Sequence, residues 1–145
     1  MIDDAVANLT KLGMADKFEL ICADIFDEKF TLPEQVDCVV LSYTVSTFIN
    51  NMEMLSDILL HCRRQMKPDG MVLLSDFCWV EQPKDDWFFG MFTSTQNGKT
   101  PEVWEPFKFH IVTAPDASFE IFHIPPHVMF NAGMKAGFRN INWLS

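Results

Sequence analysis

The chain is short of positive charge. Eleven Lys and Arg stand against twenty Asp and Glu, a formal net charge of −9. A polyanion or an anionic lipid surface would be repelled, so neither nucleic acid nor a membrane is expected as a partner. Cys22, Cys38, Cys62 and Cys78 include no Cys-x-x-Cys pair, which removes zinc-ribbon and thioredoxin-like readings. His123 and His127 are separated by Pro125 and Pro126, so they do not share a helix face, and no metal is expected. No apolar run approaches the about 18 residues of a membrane-spanning helix. The N-terminal stretch has no basic segment before an apolar core, so a secretory leader is not expected. Six Gly and eight Pro are too few for a collagen-like or low-complexity chain. No internal repeat and no flexible linker interrupt the sequence.

What is present suits one globular domain: 145 residues, 48% hydrophobic. Cys22, Cys38 and Cys78 lie in apolar runs and read as small buried hydrophobes. With no disulfide pattern, a reduced, cytoplasmic setting is expected. Ile2, Ala5, Val6, Leu9 and Leu12 form one apolar stripe at helical spacing. Asp3 and Asp4 suit its first turn, and Gly13 suits its end. Residues 18–23 read as a strand closing on Asp24. Residues 36–42 read as a second strand, buried on both faces as in a parallel sheet. Asn50 or Asn51 can cap the next helix, whose stripe is Met52, Leu55, Ile58, Leu59, Cys62 and Met66. Lys67-Pro68-Asp69-Gly70 reads as a turn, and residues 71–77 as a third buried strand.

Alternating helices and strands predict an α/β layer architecture with parallel strands. The pattern then changes. Residues 77–109 hold nine of the nineteen aromatic side chains. Phe107, Phe109 and Ile111 alternate, as do Phe119 and Ile121, which predicts an antiparallel hairpin. Its turn is placed at Ala114-Pro115-Asp116-Ala117 and is not a tight two-residue one. Residues 128–136 read as a short helix ended by Gly137, and residues 138–143 as a last strand.

In this order FELICADIFD, VDCVVLSYTVSTF, RRQMKPDGMVLLSDF and MKAGFRNINW resemble a class I S-adenosylmethionine-dependent methyltransferase of the small-molecule type. The resemblance covers nearly the whole chain. It implies an incomplete Rossmann-like methyltransferase fold with an antiparallel hairpin insertion. Within a single partial domain, 1–145, residues 1–78 would be the cofactor-side portion, 79–124 an aromatic substrate insertion, and 125–145 the closing helix and strand. No Gly-x-Gly occurs, whereas the family has such a turn, a ribose-holding acid and two strands before the segment seen here, and a final strand after it. Without the Gly-rich turn, tight cofactor binding is not expected. Those two strands would lie between residues 18–23 and 36–42, so the chain is expected to expose strand edges and to self-associate or take a partner chain.

The resemblance also assigns roles. Ala23, Asp24 and Ile25 would meet the adenine of S-adenosylmethionine, with the Asp24 carboxylate on its amine; the plainer alternative is an acid closing a strand. Leu41, Ser42 and Tyr43 would line the methionine end. Tyr43, Asp76, Trp79, Trp87, Phe88 and Phe92 would face a small-molecule substrate. Against this, Asp76 also reads as a loop-capping acid, and the aromatics as a local hydrophobic cluster. No residue is singled out as the catalytic base, and the methyl acceptor stays open. Two other readings remain: a non-catalytic remnant kept as an assembly subunit, and an unrelated α+β binding module.

Overall fold

In the computed structural model the described residues are 2–27, 29–42, 45–76, 92–94, 101–111 and 113–142. The chain divides into two compact units, Met1–Thr31 and Leu32–Ser145.

The first unit opens with α1, Ile2–Lys11, with Asp3 and Asp4 in the first turn and Lys11 in the last. These charges complement the helix dipole. Gly13, at φ 65, turns the chain out. The Gly13 N–H reaches Thr10 O at 3.0 Å and the Met14 N–H reaches Leu9 O at 2.9 Å, the paired bonds of a glycine-terminated helix. A 3-10 turn, Ala15–Lys17, follows. Residues 18–24 then run without regular structure and exposed, where the sequence predicts a strand over 18–23. A strand is stable only when its backbone groups find a ladder. Among the described residues none pairs with this segment. Cys22 is exposed, not buried.

The second unit holds two sheets. β1, Val36–Ser42, pairs in parallel with β2, Met66–Ser75. Between them lie α2, Val45–Phe48, and α3, Met52–Gln65. Asn51 caps α3, its side chain accepting from the Met54 N–H at 2.9 Å. Leu55, Ile58, Leu59 and Cys62 form the buried face of α3, and burial pushes the Cys62 thiol pKa up. β2 starts earlier than the sequence suggests. Val36 pairs with Met66, and Cys38 with Met71, so the Lys67–Gly70 turn survives as a bulge inside the strand. Across it, Lys67 Nζ meets Asp37 Oδ1 at 2.8 Å on the surface.

The expectation that these strands are buried on both faces does not hold. Val39, Leu41, Val72 and Leu74 turn to the main core with α3. Cys38, Val40, Met71 and Leu73 are exposed, Val40 at 63% and Met71 at 56%. Pleating sends alternate side chains to opposite faces, and among the described residues of this unit helices cover only one of them.

The second sheet is antiparallel. β3, Phe92–Ser94, lies beside β4, Pro106–Ile111, and β4 beside β5, Ala114–Phe122. The hairpin expectation holds, but its connection is shorter than the sequence suggests. Ile111 pairs with Ala114 and His110 with Ser118, so the Ala114–Ala117 stretch is a strand irregularity and not the turn.

α4, Pro126–Lys135, packs against α3. Pro126 takes a first-turn position where its missing N–H costs nothing. Gly137, at φ 88, ends the helix, with Phe138 N–H bonded to Gly133 O at 3.1 Å. Residues 138–142 form no strand; among the described residues they too find no ladder. The principal core joins Leu41, Val45, Ile49 and the α3 stripe to Ile124, Val128, Met129, Ala132 and Ala136.

Candidate functional site

Polar groups gather where β1 and β2 end. Leu41 is buried, and Ser42, the last residue of β1, is exposed. Three residues on, α2 begins with Val45 and Ser46 buried. Asp76 follows β2 directly and reaches back to Ser46. The Ser46 N–H donates to Asp76 Oδ2 at 2.7 Å, and the Ser46 hydroxyl makes a second, short bond to Asp76 Oδ1. Ser46 is completely buried, so both donors depend on this carboxylate. Both oxygens are thus engaged as a capping acid engages them. Asp76 fixes the entry to α2.

Asp24 lies in the first unit, and Leu41 and Ser42 in the second. Its carboxylate closes a local turn: Oδ1 accepts from the Phe26 N–H at 2.9 Å, and its carbonyl accepts from the Asp27 N–H at 3.1 Å. Ala23, Asp24 and Ile25 are all exposed. Tyr43, Trp79, Trp87 and Phe88 lie outside the described residues. Phe92 opens β3 opposite Ile111.

Two further residues stand out, Ser46, which the sequence did not point to, and His123, which it set aside as a metal ligand. Ser46 anchors the Asp76 contact; its signal was a serine opening a short apolar helical turn. His123 is buried, and its Nε2 has no partner among the described residues. Its signal was the alternation Phe119, Ile121, His123, which continues an inward face. Among the described residues, no group of three or more His, Cys, Asp or Glu is gathered to hold a metal. None of their helices is long and apolar enough to cross a membrane. A cleft lined by Pro126, His127, Phe130, Ile141 and Asn142 belongs to α4 and the segment after it, not to the strand ends.

A parallel pair with its crossover helix, polar groups at its carboxyl ends and an adjoining antiparallel sheet together define a mixed α/β fold. It is a class I methyltransferase-like fold with an incomplete sheet. One solved structure it resembles is an S-adenosylmethionine-dependent methyltransferase from Clostridium acetobutylicum, at TM-score 0.63 and 10% identity over 93% of this chain. Another is Streptomyces venezuelae DesVI, at TM-score 0.51 and 16% identity over 87% of this chain. The chain spans 58% and 61% of those two proteins, less than two thirds of either. At such identities the likeness is one of fold. No protein-family model matches the sequence, and no curated protein does.

Proposed function

We propose that the chain is a part of an S-adenosylmethionine-dependent methyltransferase acting on a small molecule. The observation that carries this reading is the parallel β1–β2 pair of a methyltransferase-like fold, with exposed Ser42 and the Asp76-braced α2 at its carboxyl ends. Open α/β sheets bind ligands at those ends. The residues present fit the cofactor in part. Asp24 offers an exposed carboxylate to an amine, and Ser42 a hydroxyl at the strand end. This sequence holds no Gly-x-Gly turn. When bound, S-adenosylmethionine supplies an electrophilic methyl group to a nucleophilic nitrogen, oxygen or sulfur. The chain's own part would be to bind and orient, with Leu41 and Ser42 at the methionine end; the resemblance alone gives Asp24 the adenine amine. Trp79, Trp87, Phe88 and Phe92 would line the substrate side.

Calorimetric titration of S-adenosylhomocysteine into the purified chain tests this. Saturable heat that weakens about tenfold or more in Asp24→Ala is expected, the loss of one charge-assisted bond. Absence of heat at millimolar ligand would remove the enzymatic reading for this chain.

A second reading rests on the exposed face of Cys38, Val40, Met71 and Leu73. Parallel sheets are normally covered on both faces, and among the described residues β1 pairs with β2 alone. The occupant we infer is a second copy of the chain. Every copy carries the same apolar face, and two such faces can pack on each other about a two-fold axis in a closed pair. The chain then serves as an assembly subunit, whether or not it binds the cofactor.

A further inference from the structure

α4 turns one apolar face to the core and a second one outward. Val128, Met129 and Ala132 are buried, while Phe130 and Met134, one turn apart, stand 47% and 50% exposed. At Gly137 the chain reverses, with the Phe138 N–H bonded to Gly133 O at 3.1 Å. The segment after it returns along the helix and brings Ile141 against Gly133. A Cβ at Gly133 would stand 2.8 Å from Ile141 Cδ1, well inside the about 3.5–4.0 Å at which carbon atoms pack. Glycine is unfavourable inside a helix. Here it has a use, because only a residue without a side chain lets Ile141 lie this close.

Ile141 in that position forms one wall of a half-open cleft of about 240 Å³. Pro126, His127 and Phe130 form the helix side, and Asn142 completes the lining. The lining is largely apolar, and its two polar side chains, His127 and Asn142, can both donate hydrogen bonds. The volume lies below the about 300–1,000 Å³ of pockets for drug-sized ligands. It suits a single ring with a short side chain.

The charge here is unlike that of the rest of the chain. Of the twenty Asp and Glu, none lies after Glu120. Residues 121–145 carry Lys135 and Arg139 and no acid, so this stretch is positive in a chain of net charge −9. The cleft is lined by residues of this stretch alone. At physiological ionic strength the Debye length is about 8 Å, so carboxylates farther off than that hardly repel an anion bound here. We propose that the cleft binds a small apolar molecule carrying one carboxylate, its hydrocarbon part against Phe130 and Ile141 and its oxygens toward His127 and Asn142. The site belongs to α4 and the segment after it, and it stands independently of the methyltransferase reading.

The test uses the full chain with isotope-labelled isoleucine methyl groups, at about 0.15 M salt, and follows the Ile141 and Ile49 resonances by NMR. Phenylacetate is the probe. Phenylacetamide has the same ring without the charge, and acetate has the charge without the ring. Phenylacetate is expected to move Ile141 saturably, while Ile49, in the principal core, stays in place. Phenylacetamide should bind about tenfold more weakly, and acetate more weakly still. Asn142→Asp keeps the side-chain shape and sets a carboxylate against the probe, and Phe130→Ala removes an apolar wall. Both positions are exposed, so both variants should melt close to wild type and bind phenylacetate about tenfold more weakly or worse. Gly133→Ala should fold, since alanine favours the helix and only the tip of Ile141 has to move; it too should weaken binding. The proposal is overturned if phenylacetate has no saturable effect or phenylacetamide binds as tightly. It is equally overturned if acetate binds as tightly, the mark of an adventitious ion only, or if any folded variant of the three binds like wild type. Should Gly133→Ala fail to fold, the two exposed variants decide.

Discussion

Asp76 holds Ser46 by both its backbone N–H and its hydroxyl, across thirty positions of sequence. The bonds join the end of β2 to the start of the helix that follows β1. They therefore brace the two carboxyl ends of the parallel pair against each other. Any ligand group seated there meets a helix start whose geometry depends on one carboxylate.

Asp76→Ala is expected to destabilise the chain by about 2–4 kcal/mol. It leaves a buried amide and a buried hydroxyl without a charged partner, each costing about 1–3 kcal/mol with partial relaxation. Ser46→Ala removes one donor and keeps the other, so about 1–2 kcal/mol is expected. Urea denaturation reads both, with the midpoint falling and the slope unchanged. The double variant should lose less than the sum of the two, because both act on one contact.

Much of the fold was legible in the sequence because its signals are local. The Asn51 cap, the α3 stripe, the bounds of β1, the hairpin and the glycine ends at Gly13 and Gly137 each follow from a few neighbouring residues. Residues 18–23 and 138–143 carry equally good strand patterns, yet 18–23 and the described 138–142 form no ladder. Pairing is a property of two segments, and no single-segment pattern reports the absence of a partner. The burial of β1 on both faces failed for the same reason: an apolar run records what a sheet is built to meet, not what covers it. At the site, Asp76 was legible as a strand-end acid, and its capping alternative matches the geometry. Ser46 was not legible as its partner, since their meeting depends on tertiary placement.

The one-sided sheet predicts opposite outcomes for two aliphatic truncations. Leu55 is completely buried in the core, so Leu55→Ala should cost about 2–5 kcal/mol. Val40 lies largely exposed on the other face, so Val40→Ala should stay within about 0.5 kcal/mol in the dissociated chain. Denaturant midpoints at low protein concentration separate the two.

Burial raises the Cys62 thiol pKa. The unfolded chain then loses its thiol proton at lower pH than the folded chain does. Below the ordinary thiol value of about 8.5 both states keep the proton, and Cys62 adds no slope. Above it the unfolded state binds fewer protons, so stability falls with rising pH until the folded thiol also ionises. Unfolding free energies measured at a series of pH values from neutral to alkaline should show this decline. In Cys62→Ala the part of the slope due to this thiol should vanish, although that variant starts lower because of the space it leaves. Consistent with burial, Cys62 should react with a thiol reagent more slowly than exposed Cys22 and Cys38.

Self-association through the bare sheet face should strengthen with salt. Each copy carries a formal charge of −9, so two copies repel at low ionic strength. Added salt shortens the Debye length from about 30 Å at 0.01 M to about 8 Å at 0.15 M and weakens that repulsion. The face itself presents Val40, Met71 and Leu73, whose contact is apolar and is not screened. Light scattering behind size exclusion should therefore show the dimer fraction rising from low to physiological salt. Val40→Asp places a charge at the centre of the face, adds to the net negative charge and should return the chain to monomer at every salt concentration. A wild-type chain that stays monomeric at high concentration and physiological salt would rule out the second copy as the occupant. A Val40→Asp chain that still dimerises would place the contact elsewhere.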